Sequence, residues 1–391
     1  MNLNTARHIA HFDLDAFFVS VECLKDSRLK GIPLIVGGSS DRGVVAACSY
    51  EARKFGIHSA MPIKVARRLC PEVKIIKGDM ESYGKYSRIV TEILGQNTPL
   101  FEKASIDEFY IDMTGMEKYH GCKLFTADLR KKVFKETGLP VSYGLASNKL
   151  VSKVATNEVK PNGQIEIPFG EEKSYLAPLP VMKLPGVGQE TAMKLVRRGV
   201  ETVRTLAGIP IEMMETLFGK TGIDLWRKAN GLDDSPVIPY REQKSISTER
   251  TFQQDTISMT FLHTELVRMT EAIGFELRSQ NKLTGCVTVK LRYSNFDTVI
   301  KQRVIDFTSS DQVLLQVVQE LFEKLYERRL LVRLLGVRFT KLVPGNYQIK
   351  LYEDTQEIVR LYQSIDSIKR RFGEGMLMRA VGLGSLQANK R

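Results

Sequence analysis

Two groups of acidic residues interrupt apolar, strand-like segments of this chain, about ninety residues apart. Asp13 lies in the apolar segment 8–14, and Asp107 and Glu108 are neighbours within residues 104–112. A carboxylate in an apolar strand is costly to bury unless it is paired or binds a metal. Carboxylate oxygens are ligands that Mg2+ prefers, and two such ions about 3.5–4 Å apart can promote phosphoryl transfer. The sequence therefore predicts a fold that brings these carboxylates together at a magnesium site.

The position of these acidic residues on their strands leaves some alternatives open. Asp107 and Glu108 would face opposite sides of a regular strand, so both reach one metal only where the strand turns, as at a hairpin end. A solvent-exposed acidic turn explains that pair equally well when it is considered alone. Asp15 either shares the face of Asp13 or caps the helix that follows, and we favour the cap because Asp is a preferred N-cap residue.

Charge and cysteine content narrow the class of protein. Lys and Arg number 57 against 45 Asp and Glu, and the formal net charge of +12 favours an anionic partner. The five cysteines include no C-x-x-C pair, which argues against a disulfide framework or a zinc site and favours a reducing compartment. There is no signal-peptide pattern and no apolar run near the ~20 residues that span a bilayer. We expect a cytoplasmic protein that makes no membrane contact.

The pattern of hydrophobic residues predicts several domains. Strand and helix patterns alternate over residues 8–158 and indicate an α/β domain. Residues 174–230 show short helical patterns, and a linker with two prolines follows at 233–241. Residues 244–343 show the order β-α-β-β-α-β, and one helix is predicted at 354–372. The other predicted helices are 16–25, 50–56, 62–69, 79–95, 123–137, 148–158, 259–281 and 311–329. The predicted strands are 8–14, 33–36, 43–47, two runs within 99–114, 141–146, 245–253, 285–293, 297–305 and 333–342.

Two further motifs indicate contacts with phosphate. Tyr50 and Arg53 are three residues apart on a predicted helix, so a phenol and a guanidinium project together toward a polyphosphate. Lys160 precedes Pro-Asn-Gly and is another cation at an element boundary; alone, each signal also fits a solvated surface. Gly186-x-Gly188 precedes a helix N-terminus, as in a helix-hairpin-helix whose backbone N–H groups hold a DNA phosphate. An ordinary helical turn is the alternative, and the basic composition favours DNA binding.

Four of these segments resemble, in order, the motifs of the Y-family (translesion) DNA polymerases, most closely those of the bacterial DNA polymerase IV type. They are residues 13–22, 50–56, 105–108 and 160–163, and the resemblance covers roughly residues 8–343. It implies an α/β multi-domain protein with the right-hand polymerase fold. The implied parts are an α/β palm at 1–15 and 78–168, small fingers at 16–77, a helical thumb with the helix-hairpin-helix at 169–232, a linker at 233–243 and a β-α-β-β-α-β little finger at 244–343.

The resemblance also implies roles at the metal and triphosphate sites. Asp13 and Asp107 would hold two Mg2+ ions, for which Mn2+ can substitute. Glu108 would bind the ion that activates the primer 3′-hydroxyl, and the backbone carbonyl of Leu14 would complete the nucleotide-side ion. The residues implied to hold the dNTP triphosphate are Tyr50, Arg53 and Lys160.

Further implied roles concern nucleotide selection. Phe18 falls at the steric-gate position, where its ring would collide with a ribose 2′-hydroxyl. Phe17 is expected to pack against the nucleotide or the core, and Glu22 to be structural. The small residues that would cover the nascent base pair are Val44, Ala46 and Ala60, and a loose pocket there tolerates mispairs and damaged bases. Gly186 and Gly188 are implied to contact the DNA backbone.

The function implied is distributive, low-fidelity translesion synthesis from dNTPs on primer–template DNA. The sequence shows no additional acidic motif for a proofreading exonuclease, and a monomer is the default expectation. A non-catalytic adaptor of the same fold would lack the metal carboxylates. A purely structural DNA-binding protein leaves both carboxylate motifs and Phe18 unexplained, and a nucleotide cyclase needs neither the thumb turn nor the basic C-terminal domain.

The tail, 344–391, contains a candidate docking peptide for a partner. Gln348, Leu351 and Tyr352 resemble the Gln-x-x-Leu-aromatic peptide by which bacterial polymerases bind the sliding clamp (the β clamp). Leu351 and Tyr352 would be the anchors in an apolar pocket. An ordinary strand or linker is the alternative at this segment.

Overall fold

The computed structural model describes residues 7–38, 40, 42–116, 121–326, 329–345 and 355–383. The chain divides into two compact units, residues 1–241 and residues 242–391, which are named here the N-terminal and C-terminal units. Among the described residues, no helix is long and apolar enough to cross a membrane.

A five-stranded sheet with the strand order β5-β6-β1-β7-β8 forms the centre of the N-terminal unit. Strand β1 runs antiparallel to both of its neighbours, and all six of its residues are buried. Ala10, Phe12 and Leu14 enter the hydrophobic core, so the alternation of a strand places His11 and Asp13 on the opposite face. The strands are β1 Ile9–Leu14, β5 Leu100–Lys103, β6 Glu108–Asp112, β7 Val141–Ala146 and β8 Gln164–Glu166.

Helix α6, Lys149–Glu158, covers the face of the sheet that carries Asp13. It begins at Asn148, whose side chain accepts a hydrogen bond from the third residue of the helix. A Cβ at Gly144 of β7 would lie 2.5 Å from the carbonyl oxygen of Ser152, so only glycine allows the helix to approach this closely. The backbone of α6 is therefore fixed against the sheet, and Lys153 projects from it toward the acidic residues.

The N-terminal unit also contains a second, three-stranded sheet with the order β3-β2-β4. Its strands are β2 Leu34–Gly37, β3 Val45–Cys48 and β4 Lys74–Ile76. The helix predicted at 50–56 is correct in position but ends at Arg53, and hydrogen-bonded turns continue to Gly56, whose φ is 79°. The helices preceding residue 140 are α1 Phe17–Lys25, α2 Tyr50–Arg53, α3 Ile63–Leu69, α4 Met80–Asn97 and α5 Cys122–Thr137.

Five short helices occupy residues 172–229, as the sequence predicted for this region. They are α7 Glu172–Leu176, α8 Gln189–Val196, α9 Val203–Ala207, α10 Ile211–Phe218 and α11 Lys220–Ala229. Their buried side chains share one hydrophobic cluster with Val151 and Val154 of α6, so this helical segment packs onto the sheet-bearing part of the unit.

The C-terminal unit has the element order β-α-β-β-α-β, which confirms the sequence prediction. Its sheet has the order β11-β10-β12-β9, and every pair is antiparallel. Val287, Val289 and Leu291 are buried, while the residues that alternate with them are partly exposed, as their pattern predicted. The elements are β9 Ser245–Thr256, α12 Met259–Ser279, β10 Lys282–Tyr293, β11 Thr298–Thr308, α13 Asp311–Leu325 and β12 Val332–Pro344.

A helix near the C-terminus, α14 Thr355–Phe372, confirms the predicted tail helix and is held by a buried ion cluster. The guanidinium of Arg278 on α12 donates to Asp366 of α14 at 2.8 and 3.0 Å and to Asp311 of α13 at 2.6 Å. All three residues are less than a tenth exposed. The Arg278 guanidinium also lies 4.8 Å from the ring centroid of Tyr362, so a cation–π contact adds to the ion pair between α12 and α14.

Candidate active site

Asp13 and Glu108 face each other across the two central strands. They are directly paired in the antiparallel register of β1 and β6, so their side chains leave the same face of the sheet. Asp13 is 5% exposed, and the side chain of Glu108 is 21% exposed. Two segments far apart in the sequence thus place two carboxylates side by side in a partly water-excluded site.

Asp107 lies in the connection between β5 and β6, which is the hairpin end that the sequence required. Ser105 organises this turn, since its hydroxyl donates to Asp107 Oδ1 at 2.5 Å and accepts the backbone N–H groups of residues 107 and 108. The N–H of Leu14 donates to the carbonyl of Asp107 at 3.0 Å. The end of β1 is therefore adjacent to the acidic turn, and Leu14, whose backbone carbonyl was a predicted metal ligand, follows Asp13 and contacts the backbone of Asp107.

Two lysines form ion pairs with the facing carboxylates. Lys153 Nζ donates to both oxygens of Glu108 at 2.8 and 2.6 Å, and Lys160 Nζ lies 2.5 Å from Asp13 Oδ2. Burial raises the pKa of Asp13 to about 7, the carboxylates of Glu108 and Asp107 add to the rise, and Lys160 opposes it. Burial therefore disfavours the charged form of Asp13, and a nearby cation stabilises that form.

His11 also belongs to this site, and reasoning from the sequence missed it. One of its ring nitrogens and one oxygen each of Asp13 and Glu108 lie within 4.8 Å of one another. His11 Nδ1 is 3.0 Å from the hydroxyl of Thr156, whereas the fully buried Nε2 has no hydrogen-bond partner. Burial and three nearby lysines hold the pKa of this imidazole well below its usual value. The signal available in the sequence was its position two residues before Asp13 on one strand face.

The preferred interpretation of Asp15 as a helix cap is wrong. Ala16 occupies the N-cap position of α1, in a left-handed conformation with φ 43°, and no side chain caps that helix end. Asp15 is instead buried, and its carboxylate accepts hydrogen bonds from Tyr50 at 3.2 Å, Ser142 at 2.9 Å and the backbone N–H of Asn162 at 2.8 Å. It therefore joins α2, β7 and the loop after Lys160.

The three residues predicted to hold a triphosphate lie around Asp13 and Asp15. Tyr50 contacts Asp15 through its hydroxyl, and the Arg53 guanidinium carbon lies 4.5 Å from the centroid of the Tyr50 ring. Burial raises the pKa of Tyr50, so the phenol remains a hydrogen-bond donor. Lys160 lies in the same region, because its ammonium is paired with Asp13. The side chains of Tyr50 and Arg53 do project together, as their spacing indicated.

Phe17 and Phe18 have different environments. Phe17 is 3% exposed within the hydrophobic core, which was one of its two expected locations and leaves its ring inaccessible to a nucleotide. Phe18 is half-buried and stacks on Tyr83, with ring centroids 4.3 Å apart and planes inclined by 14°. Tyr83 is buried and donates to Glu22 Oε1 at 2.7 Å, so Glu22 has the structural role that was expected. Tyr83 supports the predicted steric gate, and reasoning from the sequence did not identify it.

The residues predicted to line the base-pair pocket are close to one another. Val44 is 53% exposed and forms an isolated bridge with Pro62, and Ala46 and Ala60 are also exposed. The N–H of Ala60 donates to the carbonyl of Val45 at 2.8 Å, which brings the three small side chains into one region beside β3.

The predicted DNA-backbone turn lies between Leu184 and helix α8. Gly186 has a φ of 93°, which favours glycine, and Gly188 is the N-cap residue of α8. Lys228 Nζ donates to the carbonyl of Pro185 at 3.0 Å and so places a cation beside the turn. The candidate clamp-binding residues Gln348, Leu351 and Tyr352 lie outside the described residues.

Three parts of the chain match known protein families. Residues 12–157 match the impB/mucB/samB family, and residues 243–351 match the C-terminal domain of the same family. Residues 182–233 match the thumb domain of DNA polymerase iota, which confirms the helix-hairpin-helix prediction.

Relatives match nearly the whole chain. A DNA polymerase IV of Dehalococcoides mccartyi is 38% identical over 371 residues, which cover 94% of this chain and 95% of the relative. A DNA polymerase IV of Desulfatibacillum aliphaticivorans is 36% identical and covers 95% of this chain and 96% of the relative. Among solved structures, a Y-family DNA polymerase chimera is similar with a TM-score of 0.77 at 25% identity, covering 86% of this chain and all of the chimera.

The fold is thus that of a right-hand polymerase whose palm carries an acidic site. The chain belongs to the impB/mucB/samB family of Y-family DNA polymerases, together with relatives named DNA polymerase IV.

Proposed function

We propose that this DNA-directed DNA polymerase extends a primer 3′ end by two-metal-ion nucleotidyl transfer and carries out low-fidelity, distributive translesion synthesis without a proofreading exonuclease. The observation that carries the proposal is the pairing of Asp13 with Glu108 across β1 and β6, with Asp107 at the adjoining hairpin end. The substrates would be primer–template DNA and dNTPs, and the compartment the cytoplasm.

The donor set of the site fits hard divalent cations. Asp13, Asp107, Glu108 and the carbonyl of Leu14 offer oxygen ligands only, which suits Mg2+, with Mn2+ as a substitute. The raised pKa of Asp13 and the unpartnered Nε2 of His11 are features of a site that gains from a bound cation. When bound, two divalent ions supply charge neutralisation and activate the primer 3′-hydroxyl.

The residues of the chain would bind and orient the substrates. Lys160, Tyr50 and Arg53 would hold the triphosphate through charge-assisted hydrogen bonds, and the contact of Asp15 with the Tyr50 hydroxyl supports this role. The ring of Phe18, supported by stacking, would exclude a ribose 2′-hydroxyl. These interactions orient the α-phosphate for in-line attack, which is the main contribution that a protein makes to phosphoryl transfer.

Fidelity and DNA binding follow from less specific contacts. The exposed small side chains of Val44, Ala46 and Ala60 would leave the nascent base pair loosely enclosed, so that mispaired and damaged bases are tolerated. Gly186 and Gly188 would present backbone N–H groups to a DNA phosphate.

We assign the palm to 1–15 and 78–168, the fingers to 16–77, the thumb to 169–232, the linker to 233–243 and the little finger to 244–343. We further propose that the protein is a monomer whose 348–352 peptide binds the sliding clamp.

Primer extension on an undamaged template with Mg2+ tests the proposal. Wild type should incorporate dNTPs only, Asp107→Ala should lose extension, and Phe18→Ala should gain rNTP incorporation. Asp112→Ala is the matched control, because it removes a carboxylate from the far end of the same strand, β6, and should keep extension. Wild-type protein that is folded and binds DNA but extends no primer would refute the polymerase proposal.

A further inference from the structure

Both facing carboxylates are already paired with a lysine ammonium. The ammonium of Lys153 contacts both oxygens of Glu108 at 2.8 and 2.6 Å, so it neutralises the charge that would attract a divalent ion. Lys160 Nζ lies 2.5 Å from one oxygen of Asp13, Oδ2. Each oxygen of Glu108 keeps a second lone pair for a metal, but the ammonium beside it repels the metal. A metal at Glu108 therefore competes with Lys153, and it binds more tightly when the side chain of Lys153 moves away.

Such a movement involves the side chain of Lys153 and not its backbone, because helix α6 is fixed against the sheet. Its neighbours on α6, Val151 and Val154, are buried in the hydrophobic core, and Gly144 allows the helix to contact the sheet directly. Lys149, one turn earlier, is paired with Glu102 at 2.6 Å and is almost fully buried. The lysine at 153 is 27% exposed and has a flexible stem, so it can exchange one anion for another nearby.

A cavity that Lys153 lines offers its side chain a second position. The cavity has a volume of about 560 Å3 and lies between the edge of the central sheet and the helical segment 172–229. Its lining contains six Lys or Arg side chains, including Lys153, and four carboxylates, so cations are in slight excess. Lys228 donates to the carbonyl of Pro185, which also lines the cavity and precedes Gly186. The cavity thus extends from Lys153, the partner of Glu108, to the turn assigned to the DNA backbone.

We propose that Lys153 is a positioning residue that couples metal binding at Glu108 to DNA binding. In the free protein it is the counter-cation of Glu108. A phosphate of the primer strand in the cavity draws the ammonium away and exposes Glu108 to the metal. This coupling rests on the proposed polymerase function. By linkage, DNA must tighten metal binding by the same factor by which the metal tightens DNA binding.

The coupling is tested by measuring Mn2+ binding to the full-length protein. Electron paramagnetic resonance detects the free ion, and no nucleotide is added. Lys153→Met should bind Mn2+ roughly tenfold more tightly than wild type in the absence of DNA, as expected for loss of a charge-assisted hydrogen bond. Lys153→Gln should behave in the same way, and Lys153→Arg should restore weak binding. Lys123→Met is the matched control, because it removes the same charge from an exposed ion pair with Glu166 and touches neither Glu108 nor the cavity.

The reciprocal measurement is the affinity for primer–template DNA, by fluorescence anisotropy at constant ionic strength, with and without Mn2+. Mn2+ should tighten DNA binding by wild type and by Lys123→Met, and this enhancement should fall to about onefold in Lys153→Met. Equal Mn2+ affinities in Lys153→Met and Lys123→Met would overturn the coupling while leaving the polymerase function intact. Mn2+ binding that is unchanged by Glu108→Gln would overturn both the coupling and the proposed metal site.

Discussion

The stacking of Phe18 on Tyr83 predicts that discrimination against ribonucleotides depends on a residue that does not contact the nucleotide. The two rings lie 4.3 Å apart and nearly parallel, and Tyr83 is completely buried. Replacing Tyr83 by Leu keeps the position apolar but removes the flat surface on which the gate ring rests. The Phe18 ring should then leave its position for part of the time, and a 2′-hydroxyl should be admitted.

The size of the effect follows from the energy of the aromatic pair. Such a stack contributes about 0.5–1.5 kcal/mol beyond its area burial, which corresponds to a factor of roughly 2 to 12 in the preference for dNTP over rNTP. Phe18→Ala removes the gate itself and should relax the preference by more than this. Tyr83→Phe keeps the ring and loses only the hydrogen bond to Glu22, so it should lower stability by about 1–3 kcal/mol without changing the preference.

The assay is single-nucleotide insertion, with kcat/KM measured for a dNTP and for the matching rNTP on the same primer–template. The ratio of the two values is compared among wild type, Tyr83→Leu, Tyr83→Phe and Phe18→Ala. The reasoning is refuted if Tyr83→Leu keeps the wild-type ratio while Phe18→Ala relaxes it. It is also refuted if Tyr83→Phe relaxes the ratio as much as Tyr83→Leu does.

Two further outcomes are expected. Arg278→Met leaves two buried carboxylates without their cation and should lower the free energy of unfolding of the C-terminal unit by about 3–5 kcal/mol, whereas Arg303→Met, at a partly exposed ion pair, should cost less than about 1 kcal/mol. Urea unfolding followed by circular dichroism measures the loss of stability in both variants. The fluorescence of Trp226, the single tryptophan of the chain, which lies in the N-terminal unit, should report an unchanged transition there. Equal losses in the two variants would contradict the role of the cluster. Deletion of residues 348–352 should preserve basal primer extension and abolish stimulation by a sliding clamp, so stimulation that persists would remove the clamp assignment.

Most of the secondary structure could be predicted because its signals are local. The alternation in Val287, Val289 and Leu291 identified a strand with one buried face, and the β-α-β-β-α-β order of the C-terminal domain followed from such patterns. The boundaries were less accurate where a short hydrogen-bonded turn extends a helix, as after Arg53. The tail helix was also found, but its anchoring through Arg278 and Asp366 joins residues far apart in the chain.

The sequence proposed carboxylates for the candidate site but did not show which residues contact them. The sequence indicated Asp13, Asp107 and Glu108. It also required a turn or hairpin end at Asp107 and Glu108, since neighbours on a regular strand face opposite sides. It assigned Asp15 to a helix cap, because the residue immediately precedes a helix and nothing local shows that Tyr50 and Ser142 compete for its carboxylate.

The sequence by itself determined the class of protein and the order of elements in the C-terminal unit, and it proposed the carboxylates of the candidate site, since these depend on residue types and their spacing along the chain. Only the tertiary structure decided that Asp13 pairs with Glu108, that Lys153 binds Glu108 and that Tyr83 supports Phe18. Those contacts depend on strand register and on how closely a helix approaches a sheet. Both are set by packing between distant segments, which no local pattern specifies.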